Sequence, residues 1–129
     1  MSSLVDYIKN YPDALCGKAG NEEDIKEAEA TLNLSFSNEY RAYLRAITSA
    51  ALDGRELTGI CKSKRLNVTD ATLKQRKLNP DIPDTMYVVE ETNIDGIVIW
   101  QDNTGTVYQT APGIRLTKIA NSIKDYLNL

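Results

Sequence analysis

The feature that most constrains the fold of this chain is a change of period at Asn79-Pro-Asp-Ile-Pro83. Apolar residues recur every three or four positions before this connector and every second position after it, and its prolines cannot continue a helix. On the N-terminal side, Leu4, Val5, Ile8 and Tyr11 share one helical side, and Pro12 marks the end of that helix. Cys16-Gly-Lys-Ala-Gly-Asn21 reads as a turn, and Asn21 is suited to cap a helix whose positive first turn holds Glu22, Glu23 and Asp24. Ile25, Ala28 and Leu32 form its apolar stripe, and Glu22 is placed to pair with Lys26. Ser37 is suited to cap a third helix carrying Tyr40, Tyr43, Leu44 and Ile47. Arg55-Glu-Leu-Thr-Gly-Ile60 reads as an edge strand, and Thr69 as the cap of a helix to about Leu78, with Val68 and Leu73 as its hydrophobic staple.

Beyond the connector, Met86 to Glu91, Ile97 to Gln101 and Thr106 to Gln109 are rich in β-branched and aromatic residues. Turns at Asp95-Gly96 and Gly105 join them into an antiparallel meander. Thr117 reads as the cap of a closing helix with Ile119, Ile123, Tyr126 and Leu127 on one stripe. Segregated helices and strands predict an α+β fold: an antiparallel sheet of about four strands with helices packed on one side. The 129 residues fit a single domain, residues 1–129.

Composition narrows the chemistry. There is no histidine, which removes the commonest general base, the Ser-His and Cys-His nucleophile pairs and histidine-bearing zinc sites. A net charge of −3 argues against nucleic acid as the partner, because phosphate recognition needs a concentrated basic surface. Lys62, Lys64, Arg65, Lys74, Arg76 and Lys77 have no aromatic residues among them and read as a solvated face. No apolar run reaches membrane-spanning length, and the N-terminus lacks a basic region followed by an apolar stretch, so a cytoplasmic location is expected. Cys16 and Cys61 lack metal-ligand spacing and read as reduced thiols.

Between Leu78 and Ile114 there is no Lys or Arg, whereas Asp81, Asp84, Glu90, Glu91, Asp95 and Asp102 all fall there. An acidic sheet surface follows, able to meet a basic protein through complementary fields. Asp84, Glu90, Glu91, Asp95 and Asp102 are therefore the candidate partner-binding residues. The competing reading is a solvated face that keeps the sheet soluble. Strict alternation sends Val88 and Glu90 to one face and Tyr87, Val89 and Glu91 to the other. A Glu90–Asp102 pair has the residue types for acid–base work, but no nucleophile, metal cluster or phosphate-cradling loop accompanies it. Gly17-Lys-Ala-Gly20 has the wrong spacing for a phosphate loop. Trp100 reads as core, and Tyr40, Tyr43 and Tyr126 as buried rings with wet hydroxyls.

The segment from Asn21 to Leu34, running into Glu39-Tyr40-Arg-Ala-Tyr43-Leu44, resembles the opening signature of the SUKH superfamily, the domain of the fungal Smi/Knr-type cell-wall regulators. Leu57-Thr-Gly-Ile60, Ile82 to Val89, Gly105-Thr-Val107-Tyr108 and Ile119 to Leu127 resemble its later pieces in the same order. Ser37 stands where the family usually has proline, and Ser49-Ala-Ala51 replaces a glycine-rich stretch. The resemblance implies a protein-interaction module that is not an enzyme and needs no cofactor or metal. Bacterial members are typically immunity proteins that bind and neutralise toxins, often nucleases, and fungal members act as regulatory interaction scaffolds.

Overall fold

The computed structural model describes residues 3–129 and shows an α+β fold. Helix α1 (Leu4–Asn10) opens on a reciprocal cap: Ser3 Oγ accepts from Asp6 N–H, and the Asp6 carboxylate accepts from Ser3 N–H. Helix α2 (Glu22–Leu32) is capped by Asn21 and α3 (Asn38–Ile47) by Ser37, as the sequence predicts. Glu22 pairs with Arg45 of α3 rather than with Lys26, so its charge ties two helices together. Glu29 does the same from the other end of α2, accepting from Phe36 N–H at 2.8 Å and from the Arg41 guanidinium at 2.7 Å.

Two antiparallel sheets follow. The smaller has the order β1-β2-β3, from β1 (Leu15–Cys16), β2 (Ala50–Leu52) and β3 (Arg55–Leu57). Only β3 lies within a strand predicted from sequence; Cys16 and Ala50-Ala51 read as turn and loop. The missed signal is Asp53-Gly54, whose two positive φ values make the tight hairpin between β2 and β3. Helix α4 (Val68–Leu78) is capped by Asn67, not Thr69, and its Oδ1 accepts from Thr69 N–H at 3.0 Å. With the start shifted, Val68 is buried inside the helix while Leu73 is exposed, and no staple forms.

The larger sheet has the order β4-β5-β6-β7, from β4 (Tyr87–Glu91), β5 (Val98–Gln101), β6 (Val107–Ala111) and β7 (Ile114–Ala120). Its fourth strand is β7 and not residues 55–60. Thr117, expected as a helix cap, pairs with Gln109 inside β7, and Ile119 belongs to the strand as well. The closing helix α5 (Ile123–Leu127) is shorter and is capped by Ser122. The turn dipeptide Pro112-Gly113, flanked by the Ala111↔Ile114 pair, is the sequence signal that marks this hairpin.

Apolar side chains cover both faces of the larger sheet. Tyr87, Val89, Ile99 and Val107 join the main core with α1, α2, α3 and α5, whereas Val88, Val98 and Trp100 form a second cluster with Met86 and Ala71 of α4. Helix α4 reaches this second cluster through Ala71, while its Val68 belongs to the main core. Trp100 is fully buried and its indole N–H donates to Thr110 Oγ1 at 3.0 Å. The tyrosine hydroxyls expected to be wet are also internal: Tyr40 and Tyr43 bond to Thr58, and Tyr126 donates to Glu90. Because Thr58 Oγ1 donates to Val88 C=O at 2.8 Å, Tyr40 must be the donor in its own bond to that oxygen.

Candidate partner-binding surface

The five candidate carboxylates are not presented together. A β-bulge at Val89 sets the faces of β4: Tyr87 pairs with Gln101 and Val88 with Trp100, and then Glu90 pairs with Ile99 and Glu91 with Val98. Glu90 thus shares the Tyr87 face, not the Val88 face that alternation predicts, and Glu91 is turned towards α4. Glu90 is 4% exposed, points into the core and accepts the Tyr126 hydroxyl at 2.5 Å. It is not available to a partner. Burial raises its pKa above the ordinary carboxylate value, partly offset by the Tyr126 bond and by the Arg55 guanidinium. That guanidinium lies over the Tyr126 ring, 5.2 Å from its centroid.

Glu91 is half-buried and already engaged, bonding to Gln75 Nε2 at 2.6 Å and Lys74 Nζ at 2.8 Å. Asp102, at the β5–β6 turn, accepts from Thr104 N–H and from the Tyr108 hydroxyl at 3.2 Å. Asp95, at the β4–β5 turn, is exposed at the opposite end of β5 from Asp102. Asp84 is exposed before β4, and its main-chain oxygen accepts from Arg76 at 2.8 Å. No Glu90–Asp102 pair forms: Glu90 sits inside the core and Asp102 in a surface turn.

What the structure does gather is an open groove of about 490 Å³ between the C-terminal end of α4 with its proline connector and the β6–β7 hairpin. Leu78, Pro80 and Ile82 line one side, and Pro112, Ile114 and Leu116 the other. Leu78 is 69% and Ile114 59% exposed, an arrangement that leaves apolar surface in water on facing walls. An adjoining hollow of about 360 Å³ shares Leu78, Asn79, Ala111 and Pro112 and extends to Glu91 and Gly96, beside Asp95. Asp81 and Arg115 also line the groove, without pairing to each other. Sequence reasoning missed this surface because its two walls are about thirty residues apart in the chain, and one of them includes the start of a strand whose later part, from Thr117, reads as helix.

A second open hollow, of about 320 Å³, lies between α2 and the start of α4 and carries Asp24, Glu27 and Asp70. Of these acids, Asp24 reads in the sequence only as a favourable helix-start charge. Among the described residues, no three His, Cys, Asp or Glu side chains gather as a metal site, and no helix is long and apolar enough to cross a membrane. Both cysteines are free, and burial raises the pKa of the Cys61 thiol.

The chain is similar to part of a Saccharomyces cerevisiae protein, "Late endosome and vacuole interface protein 11", at 27% identity over 97 residues, or 75% of this chain. It spans 11% of that protein's length. The family model SUKH_5, described as SMI1-KNR4 cell-wall, matches residues 1–128, from before α1 to the end of α5. The chain belongs to this SMI1-KNR4 family of the SUKH superfamily.

Proposed function

We propose that the protein is an immunity protein that binds a cognate protein toxin, a nuclease among the candidates, and neutralises it by covering it, without chemistry of its own. The observation that carries this reading is the pair of facing walls that expose Leu78 and Ile114. Apolar side chains left in water on facing walls suit a contact site, and a few well-placed side chains supply most of the affinity of an interface. The groove is tied to the second cluster, since Thr110, which lines it, accepts from the buried Trp100 indole N–H. Family membership supports the same reading, because bacterial members of the superfamily typically act this way.

The test is co-expression with candidate toxin domains taken from the genes that neighbour this one. Growth should be restored by the native chain and lost with Leu78→Asp/Ile114→Asp, whose positions are exposed and whose folding is checked by circular dichroism. Growth arrest that persists with the native chain contradicts the reading.

A second reading is a regulatory interaction module, favoured by the similarity to a short stretch of a much longer fungal protein. It predicts binding to several cellular proteins and no protection against a neighbouring toxin.

A further inference from the structure

We propose that the partner docks by adding an extended segment to the open edge of β7, with apolar side chains in the groove and carboxylates over Arg115 and Lys118. The inference rests on the protein-binding reading above and specifies how the partner is held.

The two edges of the larger sheet differ. On the β4 side, Thr58 N–H donates to Val89 C=O at 2.9 Å, so the chain itself covers that edge. Strand β7 pairs with β6 alone. It is seven residues long, roughly 3.3 Å per residue, and although two bulges interrupt its register with β6, its outer side has room for a segment of similar length. Such an edge offers a row of N–H and C=O groups to an incoming strand, as in recognition by strand addition.

Side chains give the edge its preference. Ile114 and Leu116 line the groove together with Leu78 and Ile82. Arg115 and Lys118 are exposed, and neither is ion-paired with a described carboxylate. Lys118 stands opposite Tyr108, which packs with Leu116 against the Trp100 cluster, so the charge and the apolar residues share a sheet face. In a chain of net charge −3 this strip is locally positive, and it complements an acidic, apolar strand. Edge cations also discourage pairing between identical copies, which would bring like charges together. The occupant is therefore a segment of another protein that carries apolar and acidic residues together on one strand face, at every second position.

The probe is an acetylated peptide of about nine residues with valine and glutamate in turn at the odd positions and threonine at the even ones, matched to the span of β7, with lysine in place of glutamate in its counterpart. Amide shifts of the isotope-labelled protein should map to β7 and the groove, and the lysine peptide should bind at least tenfold more weakly at low salt. Arg115→Glu/Lys118→Glu should reverse that preference. If the double variant fails to fold, Arg115→Gln and Lys118→Gln singly should each weaken the glutamate peptide. Shifts mapping elsewhere, equal binding of both peptides, no binding, or self-association through β7 would each overturn the proposal. Failure is separable from that of the functional reading: a double variant that keeps full protection against the toxin removes the docking mode and leaves the immunity role standing.

Discussion

Glu90 is a carboxyl group buried among apolar side chains, with a tyrosine hydroxyl donating to it and a guanidinium behind that ring. Burial raises its pKa, so the folded state holds its proton more tightly than the unfolded chain does. The resulting stabilisation is complete below the ordinary carboxylate value and is lost as pH rises through the raised one. Glu90→Gln keeps an acceptor for Tyr126 and removes the buried charge. Relative to the native protein it should be more stable at pH 7, with the advantage shrinking to nothing near pH 4, as read from urea unfolding across that range. An advantage that grows as pH falls contradicts this account. The burial of Glu90 was not legible in the sequence, because a one-residue bulge reverses every side chain beyond it, and nothing in Val88-Val89-Glu90 announces the bulge. Trp100 was legible, since an aromatic within an apolar β-branched run has few places to go but the core. Gln101 stands between these cases. It is fully buried, and all of its polar capacity is used: Oε1 accepts from Ser37 Oγ and Tyr87 Oη, and Nε2 donates to Glu39 and Gly105 C=O. As the end of a strand it reads correctly, but a network joining residues 37, 39, 87 and 101 leaves no mark in local periodicity.

At the scale of elements, α5 shows how a five-residue helix is held in place. So short a helix has little stability of its own. Its cap Ser122 accepts from Asp125 N–H, and Glu39 of α3 reaches across to accept from Ile123 N–H at 2.8 Å and Lys124 N–H at 3.1 Å. A carboxylate at a helix start satisfies orphan donors and meets the positive end of the dipole. Because Glu39 also accepts from Gln101, it joins α3, α5 and β5 at one point. Glu39→Ala should cost about 1–2 kcal/mol and speed amide hydrogen exchange most at Ile123 and Lys124. Uniform acceleration over the whole chain would show instead that the residue does not act locally. The earlier helices were readable because α2 and α3 each combine a good cap with a long apolar stripe. The closing region was not, because Ile119, Ile123, Tyr126 and Leu127 match helical spacing by straddling a strand and a helix. Strands β1 and β2 are two and three residues long, too short for a period to show.

At the scale of the molecule, the count of acidic residues from Leu78 to Ile114 was correct and the surface inferred from it was not formed. Folding sends Glu90 inward, binds Glu91 to α4, and puts Asp95 and Asp102 at opposite ends of β5. A run of charge in sequence becomes a patch only if turns and faces bring it together. The groove beside β7 has the reverse history: its walls are distant in the chain, and topology alone makes them neighbours. Family membership, by contrast, was legible from the order of several weak pieces. The central claim is that this surface binds a protein toxin through apolar contacts on facing walls. The most direct measurement is the equilibrium affinity of the purified chain for a toxin domain against which it protects growth. The account predicts saturable one-to-one binding that Leu78→Asp/Ile114→Asp weakens by at least about a hundredfold, or roughly 2.7 kcal/mol. Binding unchanged by the double substitution, in a variant that still folds, would contradict it.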